Sequence, residues 1–334
     1  ADEAKAAKMP AIAPRTTGGS LSGPKGYIID AAQKELAKLG FSQEQLMVGG
    51  YVIKTTIEQR AQQSAVDAVN KLYPAKAPEN LHIGLVAIRP GTGEVVAMYG
   101  GKDYVIRQLN DATQSIALAG STFKPFMSAA SLYLGVRTPQ YRYNDIGYFV
   151  IPGSSRRFHN SGGGRALGNL DFVTAIAKSS DAFFFKLGLD MGVDRMDKGI
   201  SPFGLGSKTG IDLPQENTGL LPSRAWKAKR FAKDPYQKNW QAADSVNMGV
   251  GQGFNHYTPL QMAFATSILA NDGVYYRPHL LDKVIDKTGK VVSNYHESQG
   301  EIPIPKAYLE LVKSGMQKVM QIGTGASVGQ GLRY

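Results

Sequence analysis

The chain has 334 residues, 43% of them hydrophobic, and a formal net charge of +11; that length admits one large domain or two smaller ones with a sizeable core. It has no cysteine, which excludes thiol catalysis, disulfides and cysteine-ligated metal, and His82, His159, His256, His279 and His296 lack ligand spacing, so neither a metal nor another cofactor is expected. The positive charge favours anionic partners, but no zinc pattern, basic heptad helix or aromatic RNA-binding motif is present, so nucleic acid is not expected among them.

In chain order, residues 1–15 read as an Ala/Lys-rich helical tail and residues 16–50 as a linker region, within which Ile28 to Leu39 has helical periodicity ending near Gly40. Tyr51 to Ile57 alternates and is β-branched, a strand pattern; Glu58 to Leu72 reads as a helix with Ala61, Ala65, Ala68 and Val69 on its apolar face. His82 to Ile88 and Glu94 to Tyr99 are strands joined by Arg-Pro-Gly-Thr-Gly, a hairpin turn. Phe172 to Leu189 reads as helical, but Ser179, Ser180 and Asp181 near its middle predict a break that holds a polar loop against the core. Residues 217–245 read as basic loop, Pro259 to Asn271 as an apolar helix, Val274 to Val292 as short strands, and Pro305 to Gln321 as a last helix. The mixture predicts an α/β (α+β) fold: a central, mostly antiparallel sheet flanked by helices. No run of about 18 apolar residues occurs.

The most informative stretch is Gly120-Ser121-Thr122-Phe123-Lys124-Pro125-Phe126. Residues three apart share a helix face, so the Ser121 hydroxyl and Lys124 amine can meet, and a desolvated lysine can take a serine proton. The alternative is a helix-capping serine. Spacing alone also produces Ser22-Gly-Pro-Lys25, in a Gly/Pro/Ser-rich stretch unsuited to a helical turn. Ser179 could relay protons and Asp181 could position Lys124; the alternative there is a capped helix break without chemistry. The basic segment from Trp226 to Trp240 reads either as a contact for anionic glycan or lipid, or as a solvated loop with two rings packed on the domain.

Together these motifs resemble the transpeptidase module of class A, bifunctional penicillin-binding proteins. The resemblance runs in order over roughly residues 50–334: Val86-Ala-Ile-Arg-Pro-Gly-Thr-Gly-Glu-Val-Val-Ala-Met98, Asn110-Asp-Ala-Thr-Gln114, Gly120 to Pro125, Phe203-Gly-Leu-Gly206, Thr209-Gly-Ile-Asp-Leu-Pro214, Gly251-Gln-Gly253 and Thr258-Pro-Leu-Gln261. It implies a penicillin-binding/serine β-lactamase-like fold, with residues 51–334 as the transpeptidase domain and residues 1–15 as the tail of a preceding glycosyltransferase module. It further implies that Ser121 attacks the D-Ala-D-Ala carbonyl of a peptidoglycan stem peptide, Lys124 is its base, and Ser179 shuttles the proton to the departing D-alanine.

Asp181 stands where most class A proteins carry asparagine and some class B elongation enzymes carry aspartate; a carboxylate there would favour the protonated amine. Lys208-Thr209-Gly210 and Ser245-Val246-Asn247 spell the family's third and second motifs, but the first follows Ser179 too closely, in a segment the family places away from the active site, and the second directly precedes Gly251-Gln-Gly253, a structural stretch in the family. The family's third-motif strand is expected beyond Tyr334, leaving the sheet without its last strands. The implied partners are stem peptides, β-lactams and cell-wall synthesis proteins, and the implied location is the bacterial cell envelope, with a membrane anchor outside this chain. A D,D-carboxypeptidase or β-lactamase using water as acceptor, and a non-catalytic penicillin-binding scaffold, are the alternatives.

Overall fold

A computed structural model describes residues 21–73, 78, 80–295 and 299–331, so the tail expected at 1–15 lies outside the described residues. The first helices fall where the sequence reads as linker. α1 (Lys25–Lys38) buries Tyr27, Ala31, Ala32 and Leu36, and α2 (Gln43–Val48) begins with a reciprocal Ser42/Gln45 capping box. Ala31, Ala32 and Leu36 pack into a core with Val95, Met98, Leu260 and Leu281. This region is therefore part of a packed body.

β1 (Val52–Thr55) and α3 (Gln59–Leu72) lead to the hairpin of β2 (Leu85–Ile88) and β3 (Val95–Tyr99), in which Val86 faces Met98 and Ala87 faces Ala97. β4 (Ala117–Leu118) and a 3-10 turn, Gly120–Phe123, run straight into α4 (Lys124–Tyr133). Every residue of α4 from Lys124 to Leu132 is buried. The short strands β5 (Tyr143–Asp145), β6 (Tyr148–Val150), β7 (Arg157–His159) and β8 (Gly168–Leu170) precede α5 (Phe172–Ala177) and α6 (Asp181–Ile200). Then come α7 (Arg224–Arg230), α8 (Ala242–Gly249), β9 (His256–Tyr257) and α9 (Pro259–Ala270). β10 (Val274–Tyr276), β11 (Leu281–Ile285), β12 (Val291–Asn294), β13 (Gln299–Glu301), α10 (Lys306–Gln321) and α11 (Ala326–Gly329) complete the described chain.

Every ladder among the described strands is antiparallel. The strands are distributed over small sheets, the widest being β1-β11-β12, rather than gathered into one broad sheet. The main core is helical: α4, α5, α6, α9 and α10 meet around Phe126, Phe172, Phe183, Phe184 and Phe264. α6 and α8 cross with their backbones almost touching. A Cβ on Gly188 would lie 2.4 Å from the Ser245 carbonyl oxygen, and one on Gly249 2.4 Å from that of Phe184, so only glycine fits at either place.

Residues 217–245 contain more structure than their basic composition predicts. Ser223 caps α7 by accepting from the Trp226 N–H, and the buried Lys227 ammonium bonds Asp244, which also accepts from the Gln241 N–H at the start of α8. A tertiary ion pair, invisible to periodicity, thus holds two helices in that stretch.

Candidate active site

The predicted break between α5 and α6 has a specific form. α5 ends in a Schellman motif, with Ser180 N–H donating to the Ala175 carbonyl and Ser179 N–H to that of Ile176. The left-handed position in this motif usually belongs to glycine, but here it is Ser179, at φ 53°. Holding a side chain there costs about 1 kcal/mol or more, and it aims the hydroxyl into the site. Ser180 then caps α6: its Oγ accepts from the Phe183 N–H and donates to Asp145 Oδ2 at 2.5 Å.

Ser121 is presented by the 3-10 turn and is exposed, while Lys124, the first residue of α4, is 1% exposed. The turn is held by a backbone contact: Gly120 N–H donates to the Gly251 carbonyl at 2.8 Å, and a Cβ on Gly251 would lie 2.1 Å from the Gly120 oxygen.

The four residues singled out by sequence converge. Ser179 Oγ lies 2.9 Å from Ser121 Oγ, and Lys124 Nζ lies 3.0 Å from Ser179 Oγ, 2.8 Å from the Ser179 carbonyl oxygen and 2.7 Å from Asp181 Oδ1. The expected direct meeting of Ser121 and Lys124 is replaced by a relay. Three partners already surround the nitrogen, and an ammonium has only three N–H groups. These neighbours suit both protonation states. The carbonyl and carboxylate only accept, whereas the Ser179 hydroxyl can either accept from the ammonium or donate to the lone pair of the neutral amine.

Burial in an apolar shell lowers the Lys124 pKa below the ordinary lysine value, and the Asp181 charge opposes this without reversing it. The Phe184 ring lies 5.5 Å from Nζ. For Asp181, burial pushes upward, but the Lys124 ammonium and hydrogen bonds from Ser161 outweigh it and hold the carboxyl below its usual range. Asp181 is also the first residue of α6, where the helix dipole favours an anion. The two groups are coupled: the ammonium holds the carboxyl down and the carboxylate holds the amine up, while burial acts against both charges. The aspartate does not override the desolvation that lowers the Lys124 pKa.

Both look-alike motifs have structural places. Thr209 N–H donates to Glu216 Oε1 at 2.7 Å, and the nearby Asp212 carboxylate accepts from the backbone N–H groups of Leu280 and Leu281, tying that segment to β11. Ser245 lies in α8 and its Oγ accepts from the Trp240 indole at 2.8 Å. Of the rings between 226 and 240, Trp226 packs against Phe231 and Phe254, so the packed reading fits; Lys229, Arg230, Lys233 and Lys238 face outward. Sequence reasoning missed Asp145, Asn160 and Ser161, which surround Asp181 and Ser180; no spacing signal links them to Ser121. Among the described residues no group of three His, Asp or Glu side chains could hold a metal, and no helix is long and apolar enough to cross a membrane.

This arrangement, a serine at a helix entrance connected to a buried lysine through a second serine, sits in a chain that belongs to the penicillin-binding protein transpeptidase family. The profile of the penicillin binding protein transpeptidase domain matches residues 83–334. Among curated relatives, the peptidoglycan D,D-transpeptidase MrdA of Escherichia coli K12 is 36% identical over 224 residues, covering 66% of this chain and 34% of that protein. MrdA of Haemophilus influenzae is 32% identical over 315 residues, covering 86% of this chain and 47% of that protein. The crystal structure of Pseudomonas aeruginosa PBP2 in complex with WCK 5153 superposes with a TM-score of 0.71 at 30% identity, covering 85% of this chain and 66% of that one. The chain thus spans between a third and a half of the length of these curated relatives. None of these matches carries the class A assignment, which rests on the motifs alone.

Proposed function

We propose that the chain is the catalytic part of a peptidoglycan D,D-transpeptidase in which Ser121 is acylated. The observation that carries this reading is the continuous hydrogen-bond path from the exposed Ser121 hydroxyl through Ser179 to an amine shielded from water. Ser121 Oγ attacks the carbonyl joining the two terminal D-alanines of a stem peptide. As the O–C bond forms, the Ser121 proton moves to Ser179 and the Ser179 proton to the Lys124 lone pair. The C–N bond breaks, the proton returns along the path to the nitrogen of the departing D-alanine, and the acyl group stays on Ser121. An amine of a neighbouring stem peptide then attacks the ester, gives up its proton by the same route, and restores the serine. Asp181 holds the amine in line. β-Lactams enter the first half of this sequence and acylate the same oxygen.

Family membership and the names of the MrdA relatives support this reaction class, and the absence of cysteine with a charge of +11 suits work outside the cytoplasm beside an anionic envelope. In this reading the parent protein sits in the bacterial cell envelope alongside other cell-wall synthesis proteins. The test is labelling of the full-length protein with a fluorescent penicillin, followed by mass-spectrometric mapping. Label at Ser121, abolished by Ser121→Ala, is expected. An unlabelled protein sinks the enzyme, and label at another residue sinks the site. With stem-peptide substrate the expected product is a cross-linked dimer; shortened stems alone would mark a D,D-carboxypeptidase.

A further inference from the structure

Ser161 stands outside the relay yet commits two donors to it. Its backbone N–H reaches Asp181 Oδ2 at 2.8 Å and its hydroxyl reaches the same atom at 2.6 Å. Lys124 occupies the other oxygen, Oδ1. The carboxylate is therefore gripped on one oxygen by a loop and on the other by the amine.

That loop is itself fixed at one point. Asn160 donates to both oxygens of Asp145 and to the Arg165 carbonyl, each at 2.9 Å, and its Oδ1 accepts from the Ala182 N–H at 2.8 Å. Asp145 also accepts from the Gly147 N–H and the Ser180 hydroxyl. Residues 160 and 161 are thus pinned to the start of α6. Gly162, Gly163 and Gly164 follow, all at positive φ.

We propose that Ser161 is a positioning residue for the base: by occupying Asp181 Oδ2 it keeps the carboxylate from closing both oxygens on Lys124, and so sets how readily that amine releases its proton. The proposal rests on the reading of Lys124 as the base. A carboxylate oxygen with two short donors has much of its charge already engaged. Freed of the hydroxyl, Oδ2 keeps only the backbone donor and can rotate toward the ammonium, which then holds its proton more tightly. The charged groups facing Lys124 are Asp181 from α6 and Asp145 from β5. Lys124 from α4 is the charge facing Asp181. Ser161→Ala leaves Asp145 and its three partners untouched. Ser161 is exposed, so the fold is not at risk from this change.

The experiment follows the Lys124 titration by NMR of 13C-labelled lysine in the wild type, Ser161→Ala and Ser161→Thr, alongside the rate of penicillin acylation across pH. In Ser161→Ala the Lys124 midpoint and the acidic limb of the rate profile should rise together, by about half a pH unit or more. Acylation at neutral pH should fall by the matching factor, about threefold for half a unit. Ser161→Thr should restore both. A Lys124 titration that is identical in wild type and Ser161→Ala overturns the proposal, even if the rate falls, because a merely structural role would produce that pattern. Failure of threonine to restore the titration overturns it as well, since the hydroxyl would then not be the cause. If the wild type takes no label, the proposed reaction fails, while the NMR titration still decides the role of Ser161.

Discussion

Lys124 and Asp181 face each other at 2.7 Å inside the protein, with the lysine side chain 2% exposed and the aspartate 9%. A buried pair of this kind would ordinarily hold both charges. Here desolvation of the amine is the larger effect, so burial leaves Lys124 easier to deprotonate than a lysine in water even though Asp181 opposes it.

Removing the carboxylate charge should act in one direction. Asp181 raises the Lys124 pKa, so Asp181→Asn lowers it further, and the acidic limb of the acylation profile moves to lower pH. The amide oxygen can still accept from the amine, so acylation at neutral pH should be preserved or increased. A loss of more than about 100-fold, roughly 2.7 kcal/mol of barrier, in stopped-flow labelling would show that the carboxylate itself is required.

Stability and reactivity should part company at Ser179. Its φ of 53° suits glycine, so Ser179→Gly is expected to stabilise the fold by about 1 kcal/mol. The same change removes the hydroxyl between Ser121 and Lys124 and should slow acylation by at least about 100-fold. Chemical denaturation and penicillin labelling on the same samples separate the two effects.

Asp145 is a buried hub for Gly147, Asn160 and Ser180. Asp145→Ala strands three donors away from water, which should cost about 2 to 4 kcal/mol. Because Ser180 and Asn160 fix the start of α6, acylation per folded molecule should fall too. A melting temperature equal to wild type would refute this account of the hub.

Gly188→Ala tests the fold apart from the site. The added Cβ meets the Ser245 carbonyl at 2.4 Å, backbone that cannot step aside. The expected loss is about 1 to 3 kcal/mol, with acylation of the folded fraction within about threefold of wild type.

How far the sequence carried depends on what kind of contact each feature needs. The helices at Glu58 to Leu72, Pro259 to Asn271 and Pro305 to Gln321 follow from local periodicity, and each forms within a residue of its expected bounds. The break at Ser179 was legible because polar residues that bond the backbone sit badly inside an apolar helix. Ser161 was not legible, since its tie to Asp181 depends on how the β6-β7 hairpin folds back, and nothing local encodes that. α7 and α8 were hidden for a similar reason: Lys227 looks like surface charge until Asp244 arrives to bury it. Ser179 was named from sequence as a group that could relay protons, but its place between Ser121 and Lys124 was not legible, because helical spacing relates only those two and Ser179 comes from the turn between α5 and α6.

The contrast between an exposed Ser121 and a sealed Lys124 has a consequence for chemical targeting. Ser121 is open to electrophiles at the surface, whereas the Lys124 amine is shut off from solvent. Lysine-directed acylating reagents should modify the many surface amines and spare Lys124 while the fold is intact, so protection of this one lysine in a footprinting experiment reports on the integrity of the hydrogen-bonded cluster around it without any substrate.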